Sequence, residues 1–208
     1  MSGKPRGRPR AFDAEEVLGK ALDVFWTQGF EATSLDDLSA ATGLARPSLY
    51  AAFGNKEDLY VQAMALISER MTERFKASFF PERPLKEGLI SFYRAAIDLY
   101  VSGPKQRGCL VICTAISAAP DHENIRAKLN EVLKTLDAGF QSVMKRAQAR
   151  GELPAKADPA TFALLASATL QSLAIRARAG ECRQQLEDLA GNAVETLFPF
   201  GAGNSAGE

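Results

Sequence analysis

Hydroxyl and cationic side chains that suit binding to a polyanion lie close together in the first quarter of the chain. Arg46 can donate paired hydrogen bonds to a guanine edge or a phosphate, and the hydroxyls of Ser48 and Tyr50 suit phosphate oxygens. Thr33 and Ser34 lie where a helix is expected to begin, and free N–H groups at a helix start favour a phosphate. The candidate DNA contacts in this region are Thr33, Ser34, Arg46, Pro47, Ser48, Tyr50, Ala51 and Lys56.

A short basic arm, KPRGRPR, occupies residues 4–10 of a chain whose formal net charge is zero. Proline and glycine keep such a segment extended, and narrow A·T-rich minor grooves attract arginine. We therefore expect Arg6, Arg8 and Arg10 to enter a minor groove beside the main DNA contact. The alternative is a solvated basic tail with no role in DNA binding.

Two cysteines, Cys109 and Cys113, lie four residues apart in an apolar stretch, so a helix there places both thiols on one face. Gly108 precedes Cys109, and a position near a helix start favours the thiolate that reacts with oxidants or electrophiles. With His122 nearby, the two thiols form a candidate soft-metal site. The alternative is that both cysteines pack as small hydrophobic residues.

Composition and motif content exclude several functional classes. The chain has one histidine and no Ser-His-Asp set, P-loop or zinc-ligand spacing, so we expect no enzyme activity, no cofactor and no resident metal. Residues 1–58 contain seven cationic and nine anionic side chains, so DNA binding must come from a local patch. No apolar run approaches the ~20 residues that span a bilayer, and a signal-peptide core is missing. A cytoplasmic location is expected.

The elements that position these residues are predicted to be helices throughout. Apolar residues recur at helical spacing along nearly the whole chain, which predicts an all-α fold of about nine helices. Two short predicted helices meet at a turn at Gly43 and Leu44, and they are stable only if they pack against the longer helix that precedes them. This arrangement is typical of a helix-turn-helix. The predicted helices cover residues 13–28, 34–42, 45–53, 56–79, 85–99, 108–119, 121–150, 158–178 and 181–198.

The stretch FDAEEVLGKALDVFWTQGFEATSLDDLSAATGLARPSLYAAFGNKEDLY resembles the TetR family of bacterial repressors. Its pieces GF-x-ATS-x-x-x-L, A-x-x-x-G-L, S-L-Y-x-x-F and N-K-E-D-L have the family's order and spacing. The resemblance implies a DNA-binding helix-turn-helix domain over residues 1–56 and a helical effector-binding and dimerisation domain over residues 57–208. It also implies a homodimer that binds a palindromic operator and releases it when a small-molecule effector binds.

The same resemblance assigns roles to individual residues. Thr33, Ser48, Tyr50 and Lys56 match positions that contact the DNA backbone, and Arg46, Pro47, Ala51 and Ala52 match positions that face bases. Ala45, where relatives often have Ser or Thr, predicts a weak helix cap. The small side chains of Ala51 and Ala52 leave little direct base readout on the recognition helix. The PRGRP core of the arm resembles an AT-hook, which would supplement that readout.

The remaining three quarters of the chain are expected to sense the effector and to form the dimer. The segment GCLVICTA resembles a subgroup of TetR-like regulators in which some members sense through the cysteine, so a thiol or soft-metal sensor is an alternative function. An architectural binder of AT-rich DNA that uses only the arm is another. Candidate residues of an effector pocket are Phe75, Phe92, Tyr93, Leu110, Cys113, Ile116, Phe140, Met144 and Phe162. Candidate residues of the dimer interface are Leu165, Ala168, Leu173, Leu186, Leu189, Ala193 and Leu197.

Overall fold

The computed structural model describes residues 12–80, 82–103 and 106–199, and the regular structure in these ranges is entirely helical, as predicted. A π-helical segment, Val111–Ala115, leads directly into the short helix α6. The α-helices are α1 (Ala14–Gln28), α2 (Leu35–Thr42), α3 (Arg46–Phe53), α4 (Lys56–Phe79), α5 (Leu85–Tyr100), α6 (Ile116–Ala118), α7 (Glu123–Ala149), α8 (Pro159–Ala179) and α9 (Arg183–Leu197).

The first three helices begin and end where the sequence predicts. The carboxylate of Asp13 accepts hydrogen bonds from two N–H groups in the first turn of α1. Ser34 and Asp37 form a reciprocal capping box at α2, and the helix ends at Gly43, whose positive φ of 73° suits glycine. No side chain caps α3, because Ala45 precedes it. These caps fix the two short helices at a tight turn.

The segment between α5 and α7 departs from the predicted regular helices. Leu110 begins a helical stretch that widens into the π-helical segment, and the hydroxyl of Thr114 donates to the carbonyl oxygen of Leu110 at 2.5 Å. Such widened turns are rare and frequently occur at functional sites. Helix α7 begins two residues later than predicted, with His122 rather than Asp121 at its N-cap.

Two hydrophobic cores meet along α4. The first combines α1, α2 and α3 with α4 as far as Ile67, and it also contains Leu110, Val111 and Ile125 from the later segment. The second joins α5, α7, α8 and α9 with the end of α4. A domain boundary after residue 56 remains a prediction, and the first core continues across it. Helix α4 therefore belongs to both cores.

Among the described residues, α8 is the one helix whose length and mean hydropathy of 1.2 would allow it to cross a bilayer, which the sequence reading did not anticipate. One side of α8 is part of the second core through Ala166, Leu170 and Leu173. Apolar side chains also lie on the opposite side of α8. The two apolar faces together account for the high mean hydropathy of this helix.

Candidate nucleic-acid interface and ligand cavity

Helix α3 presents a continuous face that no part of the described chain covers. Leu49 and Phe53 anchor the helix in the first core. Every other residue of α3 is exposed, and the Tyr50 side chain retains 46% of its accessible surface. The exposed set contains the predicted contacts Arg46, Pro47, Ser48, Tyr50 and Ala51. The face is therefore open to a partner molecule, as a recognition helix requires.

Arg46 is held by Asp36 on the neighbouring helix α2. Its Nη2 and Nε lie 2.5 Å and 3.0 Å from the same carboxylate oxygen. The pair is exposed, so it adds little to the free energy of unfolding. In the DNA-free protein it holds the guanidinium against α2.

Thr33 and Lys56 point into the protein instead of presenting their polar groups. Thr33 is buried, and its hydroxyl donates to the carbonyl oxygen of Gly29 at 2.6 Å. The ammonium of Lys56 donates to the carbonyl oxygens of Phe30 and Thr33 at 3.1 Å each, and it lies over the Phe30 ring. Both side chains stabilise the loop before α2, and the direct phosphate contacts expected of them remain a prediction.

Ser34, in contrast, is exposed at the start of α2. Its hydroxyl donates to Asp37 at 2.6 Å and accepts from the Asp37 N–H. These hydrogen bonds keep the pKa of the Asp37 carboxyl below its ordinary value. The predicted arm residues Arg6, Arg8 and Arg10 lie outside the described residues.

A cavity of about 590 Å³ lies between α4, α5, α7, α8 and the π-helical segment. Its inner wall includes Ile67, Tyr100 and Leu170, and the predicted residues Phe75 and Phe92 also line it. The volume lies within the range of small-molecule sites. Exposed residues of α4 and α7 form the rim, so a ligand can enter from solvent between these helices.

Seven of the predicted pocket residues do not line this cavity. Leu110, Tyr93, Phe140 and Met144 are buried in the cores, and the Tyr93 hydroxyl donates to the carbonyl oxygen of Ala166. Cys113 faces the Ala174 carbonyl, Ile116 is exposed, and Phe162 packs on Phe198. Helical periodicity identifies apolar faces, but it cannot tell a face that borders a void from one that is closely packed. The wall residues that the sequence reading missed include Trp26, Met71, Leu99, Cys109 and Arg146.

Cys109 lines the cavity, but its thiol is not activated. Burial raises its pKa to about 11, and burial also raises the pKa of Cys113. This reverses the expectation of a lowered pKa at Cys109, because desolvation of the thiolate outweighs the backbone hydrogen bonds that favour it.

The two ring nitrogens of His122 face carboxylates and do not join the two thiols in a metal site. Its Nδ1 lies 3.0 Å from Glu57, and its Nε2 lies 3.4 Å from Glu31. Its ring packs edge-on against Phe30, in the turn that follows α1. The predicted soft-metal arrangement is therefore wrong, and the described part of the chain has no group of three or more potential ligands placed for a metal.

The cavity and the helix-turn-helix share one connecting segment, residues 108–115. The carbonyl oxygen of Gly108 accepts a buried hydrogen bond from the Trp26 indole at 2.9 Å. The hydroxyls of Tyr60 and Thr114 lie 2.6 Å apart and are also buried. Because Cys109 and Val111 line the cavity, an occupant touches the segment that holds α1 and α4.

An apolar stripe remains uncovered on α8. Leu164 and Ile175 keep 57% and 56% of their surface, and the predicted interface residues Leu165 and Ala168 are also exposed. On α9, Leu189, Ala193 and Leu197 are partly exposed. Leu173 and Leu186 are fully buried, so the structure moves these two from the predicted interface into the core of the subunit.

Comparison with known proteins agrees with this geometry. The family described as "Bacterial regulatory proteins, tetR family" matches residues 17–70, and "Tetracyclin repressor-like, C-terminal domain" matches residues 86–191. The transcriptional repressor ComR of Escherichia coli K12 is 34% identical over 197 residues, covering 94% of this chain and 93% of that protein. The transcriptional regulator AcuR of Cereibacter sphaeroides is 30% identical over 166 residues, and this match covers 77% of this chain and 74% of AcuR.

A solved structure of a TetR-family regulator is also similar to this chain. A cysteine variant of the TetR-family regulator CifR, complexed with 26-bp operator DNA, superposes with a TM-score of 0.84 at 32% identity. The match covers 91% of this chain and 98% of CifR.

Proposed function

Because the chain belongs to the TetR family of bacterial transcriptional regulators, we propose that it is a cytoplasmic repressor that binds a palindromic operator as a homodimer. A small molecule in the cavity between α4 and α8 releases it from the operator. The observation that carries this proposal is the uncovered face of α3, held by two buried anchors next to a capped positioning helix. The solved complex of CifR with operator DNA supports it.

Dimerisation follows from the geometry of an operator. One chain supplies one recognition helix, and a palindrome places two half-sites about 34–36 Å apart. The exposed leucines and isoleucine of α8, with the partly exposed face of α9, provide an apolar surface that a second copy can cover. Two helices from each subunit would then form a four-helix interface.

Release by a ligand follows from the position of segment 108–115. A ligand in the cavity contacts Cys109 and Val111, and the same segment bonds to Trp26 of α1 and Tyr60 of α4. A shift of this segment changes the positions of α1 and α4 relative to the second core. In a dimer, such a shift alters the spacing of the two α3 helices and thereby weakens operator binding.

The DNA-binding proposal is tested by footprinting the full chain on the promoter region of its own gene. We expect a protected palindrome that spans two adjacent major grooves. A protein that protects random AT-rich DNA equally well would instead be an architectural binder that uses the arm.

The dimer is tested by light scattering on purified variants. Leu164→Glu and Ile175→Glu each place a charge in the proposed interface, so we expect monomers and weaker operator binding. Ile116→Glu is the matched control, because Ile116 is as exposed as Ile175 but lies on α6. A dimer that survives both α8 substitutions would contradict the proposed interface.

A thiol sensor is the second candidate, and it rests on the position of Cys109 in the cavity wall. The raised pKa makes this thiol slow to react unless a ligand in the cavity brings an electrophile next to it. Operator release by oxidant or electrophile should be compared between the wild-type chain and Cys109→Ser. Equal release by the two proteins would eliminate this candidate.

A further inference from the structure

The cavity follows most of the length of α7. Its lining residues extend along α7 from Lys128 to Arg146, which corresponds to about 27 Å at the rise of an α-helix. A volume of about 590 Å³ holds roughly 20 non-hydrogen atoms at about 30 Å³ each. Such a volume spread over such a length favours an extended, unbranched ligand over a compact one.

Most charged side chains at the cavity already have partners. Lys76 binds Glu73 at 2.9 Å, and Lys128 binds Glu131 at 2.7 Å. Glu69 is exposed on the rim, midway along α4. The remaining wall is largely apolar, so it suits the hydrocarbon body of a ligand.

Arg146 differs from these groups. It lines the cavity at the end of α7, and its guanidinium has no hydrogen-bond or ion-pair partner among the described residues. Its Nε is buried, and the group lies over the Phe80 ring at 4.5 Å. A buried donor without an acceptor is costly and rare in proteins. A planar guanidinium is matched best by a carboxylate, which accepts two parallel hydrogen bonds.

We propose that the cavity binds an elongated amphiphile with a single carboxylate, whose head group pairs with Arg146. This inference rests on the proposed role of the cavity as the effector site. The head lies beside Phe80, and the apolar chain runs along α7 towards Cys109 and Trp26. The negative charge of Glu69 repels a carboxylate placed midway along the cavity. This repulsion favours a position of the carboxylate head group at the Arg146 end. The tail then reaches segment 108–115, where it can move the contacts to α1 and α4.

Binding is measured through Trp26, the only tryptophan of the chain, which lies in the cavity wall. The full-length protein is titrated with sodium laurate and with 1-dodecanol, both below the concentrations at which they aggregate. We expect saturable laurate binding and at least tenfold weaker binding of the alcohol, because a hydrogen-bonded charge contributes about 10- to 100-fold in affinity. Equal affinity for the two probes, or no binding of laurate, would overturn the proposal.

Three variants locate the head group. Arg146→Gln should lose the preference for laurate, and Arg146→Lys should retain part of it because the charge remains. Lys145→Gln is the matched control, since this exposed neighbour on α7 loses the same charge without lining the cavity. Thermal unfolding followed by circular dichroism establishes that each variant is folded. A folded Arg146→Gln variant that still prefers laurate would contradict the assignment of Arg146.

Operator release is measured separately with labelled operator DNA. Laurate that binds at Arg146 but does not release the operator would support the ligand assignment and overturn the effector role of the cavity. A protein that binds its operator but no carboxylate would overturn the ligand assignment and leave the DNA-binding function in place.

Discussion

The indole N–H of Trp26 donates a buried hydrogen bond of 2.9 Å to the carbonyl oxygen of Gly108, 82 residues further along the chain. Trp26 belongs to α1 of the DNA-binding helices, and Gly108 precedes the cysteine in the cavity wall. Arg178 of α8 reinforces the junction by donating to the carbonyl oxygens of Trp26 and Arg107. This junction connects the cavity directly to α1, because Trp26 itself also lines the cavity.

Replacing Trp26 by Phe removes the donor while retaining most of the apolar ring. The buried Gly108 carbonyl loses its indole partner, so we expect the free energy of unfolding to fall by about 1–3 kcal/mol. Urea unfolding followed by circular dichroism measures the change. Tyr50→Phe is the control, because its hydroxyl is on the exposed face of α3, and it should unfold like the wild type. Equal stability of Trp26→Phe and wild type would show that the hydrogen bond does not hold the junction.

Tyr60 and Thr114 form the second junction, and their coupling can be isolated. Burial raises the pKa of Tyr60 to about 12, so the hydroxyl stays protonated at neutral pH and remains available for this hydrogen bond. A double-mutant cycle with Tyr60→Phe and Thr114→Val should give a coupling energy of about 1 kcal/mol. Strictly additive losses in urea unfolding would mean that the two hydroxyls do not stabilise each other.

Arg46 and Asp36 should have opposite effects on DNA binding. Arg46→Gln removes a candidate guanine or phosphate contact and should weaken operator binding by about 1–3 kcal/mol. Asp36→Asn frees the guanidinium and removes a negative charge beside the DNA, so we expect tighter binding and a steeper salt dependence. Fluorescence anisotropy with labelled operator over a range of salt concentrations measures both. Asp188→Asn on α9 serves as the control, because it removes one negative charge elsewhere in the protein. Weaker operator binding by Asp36→Asn than by the wild type would contradict this account of the pair.

The reactivity of Cys109 should follow its raised pKa. A pKa of about 11 leaves about one thiol in ten thousand ionised at pH 7, and the thiolate is the reactive form. In a Cys113→Ser, Cys182→Ser background, the rate of alkylation by iodoacetamide should rise about tenfold per pH unit from pH 7 to 9.5. The exposed Cys182, retained alone in a second variant, reports the reagent's behaviour at an accessible thiol. A rate for Cys109 that levels off below pH 9 would contradict the burial of its thiolate.

The arm, which lies outside the described residues, is tested by deleting residues 1–10. Loss of three arginines from a minor groove should reduce operator affinity and lower the salt-dependence slope by up to about 3. A variant with Lys at positions 6, 8 and 10 preserves the charge but not the planar guanidinium, so it should retain the slope while losing part of the affinity. If the salt dependence of operator affinity is unchanged after the deletion, the arm is a solvated tail that does not contact DNA.

The sequence by itself determines the first three helices and the face of α3 that stays exposed. Asp13, Ser34 and Gly43 place the helix ends through local hydrogen bonds and a left-handed turn, and apolar spacing selects Leu49 and Phe53 as anchors. All of these signals act within a few residues along the chain, so they can be read from a short window of sequence.

Only the tertiary structure decides what lies opposite each apolar or polar face. It places Phe75 at the cavity and Phe140 in a closed core, although both lie on predicted apolar faces. It also turns Lys56 inward, buries Leu173 and raises the pKa of Cys109. Each outcome depends on groups that are distant in sequence, because voids, desolvation and long-range hydrogen bonds arise only when separate helices pack together.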